Sequence, residues 1–251
     1  MLKKVKVIEI KHWNKKLFSF KVERPEGFNF KNGHFVMIGL NINNINIMRA
    51  YSIVSTNYDN YLEFLSVVVE EGLLTSNLKN IKVNDTILLN TKSTGSLVAD
   101  NLKNGENLYL LSTGTGIAPF MSIIRDPYIY EKFNNIYLLH SVRYVKDLAY
   151  NFYLNFDIYK DEYLGHLIKN QFNYVPIVTR EGFKNQKRIT DLISTNNNIL
   201  KPISVKNDKV MICGNPNMLK DSIKILENKG FIHGNNGYQG DFVIERAFVE
   251  K

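Results

Sequence analysis

The stretch from Leu110 to Phe120 reads LLSTGTGIAPF, and it decides how the chain is divided. An apolar strand runs into a turn carrying Gly114 and Gly116, and a helical segment is expected from about Ile117 to Arg125. Glycines at such a junction let backbone N–H groups approach a phosphate at the start of a helix. No lysine follows the second glycine, which sets the turn apart from the phosphate loop of ATPases. Pro119 also stands where the dinucleotide fingerprint would place a third glycine. A tight turn made of glycine for steric reasons alone is the competing reading.

The rhythm differs on the two sides of this turn. Upstream, strand-like segments follow one another closely: Lys4 to Ile10, Leu17 to Val22, Phe35 to Leu40, Arg49 to Val54, Tyr61 to Val69 and Thr86 to Asn90. Turn signals at Pro25-Glu26-Gly27, Lys31-Asn32-Gly33 and Asp59-Asn60 separate them, and one short helix is expected near Thr75 to Lys79. That spacing predicts an antiparallel barrel. Downstream, strands at Asn107 to Leu111, Ile136 to His140, Tyr174 to Val178 and Lys209 to Cys213 alternate with helices, including one near Asp147 to Leu154 and one from Pro216 to Asn228. The last helix has Asn215 as its N-cap, Pro216 at its first position and Gly230 as its stop. Alternation of this kind predicts a parallel sheet with crossovers. The boundary is placed near residues 97–105, giving one domain over 1–100 and another over 101–251.

Composition narrows the class. No apolar run reaches the roughly 18 residues of a membrane-spanning helix, and the amino-terminal MLKKVKVIEI alternates lysine with valine as a first strand of a cytoplasmic protein would. Cys213 is the single cysteine, so neither an internal disulfide nor a cysteine metal cluster can form, and any redox chemistry needs a borrowed cofactor. The net charge of +8 could steer an acidic partner, although the asparagine-rich runs NINNINI and STNNNIL suggest a compositional bias that raises lysine by itself. No basic run interleaved with aromatics points to nucleic acid, and nothing resembles a heptad, so a monomer is expected.

Two further junctions belong with the first. MICGNPNM, Met211 to Met218, is another strand, turn and helix, and ligand crevices form at the carboxyl ends of parallel strands. VTRE, Val178 to Glu181, ends a strand with Arg180, and Arg188 follows; two arginines beside a crevice could hold a phosphate, or could be ordinary solvated residues.

The motifs RAYS, GLLTSNL, STGTGIAPFMSIIRDP, HSVRYVKDLAY, VTRE, CGNPNML and the terminal ERAFVEK together resemble, over essentially the whole chain, the bacterial ferredoxin(flavodoxin)–NADP+ reductases. The ending AFVEK is specific to one branch of them. The resemblance implies a two-domain flavoprotein, with an N-terminal antiparallel β-barrel binding FAD and a C-terminal α/β parallel-sheet domain binding NADP(H). It implies transfer of a hydride from NADPH to FAD N5, followed by single electrons to a ferredoxin or flavodoxin.

The same resemblance implies residue roles. Arg49 binds the FAD pyrophosphate, Tyr51 covers the isoalloxazine ring, Ser52 reaches the region of N5, and Ala50 lies within the motif. Strand alternation sends Arg49 and Tyr51 to one face and Ser52 off it. The backbone of Leu65, Ser66 and Val67 holds the flavin ring, and Leu74, Thr75 and Ser76 cradle the pyrophosphate at the positive end of a helix dipole. Thr115 sits beside flavin and nicotinamide, while Val142 and Arg143 lie on the adenine-nucleotide side. Arg180 and Arg188 grip the 2′-phosphate, Thr179 joins them in binding NADPH, and Gly214, Asn215, Pro216, Met218 and Asp221 complete the crevice. Ala247 faces the ring, Phe248 stacks on the FAD adenine, and Val249, Glu250 and Lys251 pin the cofactor in a folded shape. Ser52, Cys213 and Glu245, with Ala247, form the catalytic set. Two other readings stay open here: an NADH-dependent reductase component of an oxygenase, and a non-catalytic flavin redox sensor.

Overall fold

In the first sheet, alternation decides what is buried: Val5 and Val7 face inward while Lys4 and Lys6 face water. The computed structural model describes residues 1–195 and 198–246. Strands β1 (Leu2–His12), β2 (Leu17–Glu23), β3 (Phe35–Ile42), β4 (Ile45–Ser52), β5 (Tyr61–Val67) and β6 (Thr86–Asn90) form an antiparallel sheet in the order β4-β3-β6-β1-β2-β5. Its two edges meet where Ile53 bridges Phe64 and the Val54 N–H donates to the Glu63 carbonyl at 2.9 Å. The sheet is thereby curled into a barrel around Phe18, Phe20, Ile38 and Phe64, and the one-turn helix α1 (Thr75–Leu78) adds Leu78 to that core.

The asparagine run NINNINI, which reads as compositional bias, has a structural task. Asn43 and Asn44 take φ values of 50° and 65° between the paired residues Ile42 and Ile45. Two consecutive positive φ angles are what a two-residue hairpin with the right strand twist requires, and asparagine tolerates them better than most residues. Strand β4 therefore starts at Ile45, earlier than the expected Arg49, and ends at Ser52.

The second sheet is parallel throughout. Strands β7 (Asn107–Thr113), β8 (Asn135–Val142), β9 (Phe172–Val178), β10 (Asp208–Gly214) and β11 (Phe242–Arg246) lie in the order β11-β10-β7-β8-β9. One apolar cluster joins Leu110, Leu138 and Met211 to α2 (Ala118–Ile123), α3 (Pro127–Lys132) and α4 (Gly165–Gln171). The other joins Leu111, Leu139 and Ile212 to α5 (Ile189–Ser194) and α6 (Pro216–Asn228). The expected ends of α6 are observed: the Asn215 side chain accepts from Asn217 N at 2.8 Å, and Gly230 has φ +84° where the helix stops. From β7 the chain builds β8 and β9 on one side, then crosses to β10 and β11 on the other. The order reverses between β7 and β10, and that is where an open α/β sheet offers a ligand crevice.

Three features depart from expectation. No continuous helix spans Asp147 to Leu154, because Tyr150 takes φ +61°; short helical turns cover Val145–Asp147 and Tyr153–Asp157 instead. The turn buries the Tyr150 ring and lets its hydroxyl donate to Glu63 Oε1 at 2.8 Å in the barrel. Helices α3, α4 and α5 and strand β11 have at most seven residues each, too short for periodicity to reveal. Within the polar-looking segment 97–105, Leu97 and Leu102 are fully buried in the core beside α2.

Candidate active site

The barrel supplies one wall of a pocket. Arg49, Ala50, Tyr51 and Ser52 at the end of β4 line it, facing Leu65, Ser66 and Val67 of β5. The Tyr51 hydroxyl is 2.9 Å from Ser66 Oγ, and its ring meets Phe64 edge-on at 6.3 Å, so two contacts from β5 fix its plane. The Arg49 guanidinium donates to its neighbour's carbonyl, Met48 O, at 2.9 Å. Simple alternation put Ser52 apart from Arg49 and Tyr51, yet all three border the same pocket because β4 ends at Ser52. Thr75 also lines the pocket, with Leu74 buried beneath. Helix α1 has only one turn, so its dipole is small, and the Ser76 N–H already donates to Gly72 O at 3.1 Å. Any anion there would rely on individual hydroxyl and amide groups.

The parallel sheet supplies the opposite wall through Thr115, Ala118 and Cys213. Two glycines make this approach possible. A Cβ on Gly116 would stand 2.3 Å from Cys213 O, and one on Gly214, at φ +149°, would stand 2.1 Å from Thr113 Oγ1. The two loops are joined there, since Asn215 N–H donates to Thr113 Oγ1 at 2.8 Å.

Glu245 enters from β11, in register with Cys213 on β10, and accepts from Ser52 Oγ at 2.8 Å across the two sheets. Its other oxygen, Oε2, is enclosed with no hydrogen-bond partner among the described residues. Burial raises the carboxyl pKa to about 7, opposed by the Ser52 hydrogen bond. Burial, reinforced by Glu245, likewise pushes the Cys213 thiol well above its ordinary value, so it is a neutral thiol at pH 7.

Outward along the carboxyl edge of the sheet the character becomes cationic. Val142 is buried at the end of β8, with Arg143 exposed after it. Thr179 donates to Val142 O from its backbone at 3.0 Å and its hydroxyl at 3.2 Å, and Arg180 N–H donates to Arg143 O at 3.0 Å. Asn185 O accepts from Val178 N at 2.9 Å, folding the following loop back toward this edge before Arg188 opens α5. Among the described residues, the guanidinium groups of Arg143, Arg180 and Arg188 have neither an ion-pair nor a hydrogen-bond partner. On the far side of the switch, Asn215 and Pro216 are exposed, Met218 packs beside Gly214, and Asp221 is exposed more than one turn into α6. Ala247, Phe248, Val249, Glu250 and Lys251 lie outside the described residues.

Sequence reasoning missed the groups that hold the two walls together. Arg125 Nη2 donates to Val54 O at 2.6 Å and Nε to Met121 O at 2.8 Å, while Tyr58 in the barrel donates to Arg125 O at 2.6 Å. Gly33 N–H donates to Ser122 Oγ at 3.0 Å, beside the Tyr150–Glu63 bond already described. His140, buried under the glycine turn, was passed over as part of an ordinary strand. Nothing in a single strand or loop marks these residues, because each acts on a segment 25 or more positions away.

Comparison with known proteins gives this geometry its place. Residues 3–96 match the oxidoreductase FAD-binding domain family, and residues 110–224 the oxidoreductase NAD-binding domain family. The chain is 47% identical to the ferredoxin–NADP reductase of Azotobacter vinelandii, covering 98% of this chain and 97% of that one. The chain belongs to the bacterial ferredoxin–NADP reductase family. The reductase is also 46% identical to the enzyme of that name from Pseudomonas aeruginosa, with the same coverage. Its fold matches a crystal structure of a ferredoxin NADP+ reductase from Neisseria gonorrhoeae with bound FAD and NADP, at TM-score 0.89 and 32% identity over 98% of this chain and 99% of that one. The pocket of this reductase suits FAD: Tyr51 offers a held aromatic ring, Arg49 brings a cation to the same wall, and the close packing of Gly116 and Gly214 on the neighbouring loops sets Thr115 and Cys213 opposite them. No helix among the described residues is long and apolar enough to cross a membrane.

Proposed function

We propose that this reductase carries electrons between NADPH and a ferredoxin or flavodoxin through one FAD. The observation that carries the reading is the pocket itself, where the Arg49 to Ser52 segment of the barrel faces Thr115 and Cys213 of the parallel sheet. Bound FAD supplies a hydride acceptor that can afterwards release electrons singly. The chain's own residues bind and align. Residues 1–100 form the flavin-binding unit and 101–251 the nucleotide-binding unit.

Arg49 neutralises pyrophosphate, and Tyr51 lies against the flavin ring with Ser66 fixing its hydroxyl. Backbone of Leu65, Ser66 and Val67 borders the ring, and Leu74, Thr75 and Ser76 serve the pyrophosphate end. On the nucleotide side, Thr115 stands at the nicotinamide position, and Gly214, Asn215, Pro216 and Met218 close the switch-point crevice. Val142, Arg143 and Thr179 lead outward to Arg180 and Arg188, which take the 2′-phosphate. Ser52, Cys213 and Glu245 surround the reacting edge with one hydroxyl, one neutral thiol and one carboxyl that titrates near neutrality. A carboxyl with a pKa near the working pH can hold or release a proton with little cost.

The net charge of +8 favours encounter with acidic electron carriers in the cytoplasm by a monomeric enzyme that binds neither nucleic acid nor membrane. Reoxidation of the reduced enzyme by ferredoxin or flavodoxin is expected to slow about tenfold as ionic strength rises from about 0.05 M to about 0.5 M, with flavin reduction by NADPH little changed. Rapid-mixing measurements at each salt concentration check this. A carrier rate that stayed flat would remove the steering argument.

A further inference from the structure

His140 stands on β8, on the sheet face that α2 covers, and is completely buried. It is in register with Ser112 of β7, two residues before the Gly114 turn. Its Nε2 is 3.1 Å from Gly114 O, and its Nδ1 is 3.5 Å from the Tyr174 hydroxyl of β9. A carbonyl oxygen can only accept, so Nε2 carries the hydrogen and donates it, leaving Nδ1 to face the tyrosine. Burial agrees with a neutral ring, since it lowers the pKa to about 4.

The bond acts on the peptide that opens the 3-10 turn Gly114–Ile117, just before α2. Gly114 has φ +56°, and a Cβ there would meet nothing within 4 Å. The Gly114–Thr115 peptide is trans, so its N–H points opposite to its C=O. Drawing the carbonyl toward His140 turns the Thr115 N–H away from the core and orients Thr115, which lines the flavin pocket.

We propose that His140 is a positioning residue for hydride transfer: its Nε2–H fixes the Gly114–Thr115 peptide, and through it the wall against which the nicotinamide is aligned. The inference rests on the reductase reading above. It separates alignment from affinity, because the 2′-phosphate end of the dinucleotide is assigned to Arg180 and Arg188, beyond the reach of this bond.

Two variants decide it. His140→Gln keeps an N–H donor at nearly the reach of Nε2, whereas His140→Asn keeps the amide but is too short to meet Gly114 O. Anaerobic reduction of the bound flavin by NADPH should be about tenfold to a hundredfold slower in the Asn variant and within about threefold of the parent in the Gln variant. Calorimetric titration with 2′,5′-ADP, which carries only the adenylate end, should give affinities within about twofold of the parent for both. Equal reduction rates in parent, Gln and Asn proteins would overturn the proposal. So would a slow Asn variant that had lost 2′,5′-ADP affinity in the same proportion, since His140 would then be only a packing residue. A parent protein unable to oxidise NADPH would count against the reductase reading, which is a separate outcome.

Discussion

Replacing Arg188 with alanine is expected to raise KM for NADPH by about tenfold to a hundredfold while leaving KM for NADH nearly unchanged, and Arg180→Ala should act in the same direction. Neither guanidinium has a partner among the described residues, and Arg143 adds a third unpartnered cation whose carbonyl accepts from the backbone of Arg180. Arg143 and Arg180 follow the ends of adjacent strands β8 and β9, and a 2′-phosphate offers oxygens in the geometry that a guanidinium fork matches. Losing one charge-assisted pair costs about 1.5–3 kcal/mol, which is where the fold-change comes from. NADH has no 2′-phosphate, so its KM should hardly respond. Steady-state kinetics with both nucleotides check this, and equal changes would remove the phosphate clamp and reopen the NADH-dependent reading.

Glu245→Gln is expected to lower the rate of hydride transfer at pH 7 by about tenfold or more and to abolish a pH dependence centred near 7. The carboxyl is held in place by the Ser52 hydroxyl at 2.8 Å, and burial raises its pKa to about 7. Gln keeps the shape and can still accept from Ser52, but it cannot titrate. The same shift appears in stability. A carboxyl whose folded pKa lies above its unfolded value of 4.5 favours the protonated form in the native state. Its contribution is fully present below pH 4.5 and is lost as the pH rises through about 7. The parent should therefore lose up to about 3 kcal/mol over that interval that the Gln variant keeps. Thermal unfolding of both proteins from pH 4 to 9 reads this directly. Parallel curves for the two proteins would show that Glu245 is not the titrating group.

The fold was legible in the sequence where glycine, proline and strand alternation write it in local patterns. LLSTGTGIAPF and MICGNPNM were legible as strand, turn and helix because glycine and proline punctuate them, and both turns fall at the switch between β7 and β10. RAYS was legible as a strand, and the resemblance it carried led to the pocket it lines. What stayed hidden was whatever depends on two distant segments meeting. Tyr150 breaks an expected helix because its hydroxyl is needed by Glu63, 87 positions earlier. His140 looks like one more residue of a buried strand until Gly114 O is seen above it. Arg125 closes a helix in the sequence and joins two sheets in the structure. The pair Asn43 and Asn44 was overlooked for a different reason, since a run of asparagines disguised a hairpin turn as bias.

The most direct test of the reductase account is anaerobic stopped-flow reduction of the purified flavoprotein by NADPH and NADH in parallel, followed by mixing with ferredoxin or flavodoxin. The account predicts that NADPH bleaches the flavin at much lower concentration than NADH, and that either carrier then restores the oxidised spectrum. A flavin that neither nucleotide reduces, or one reduced equally well by both and reoxidised by neither carrier, would contradict it.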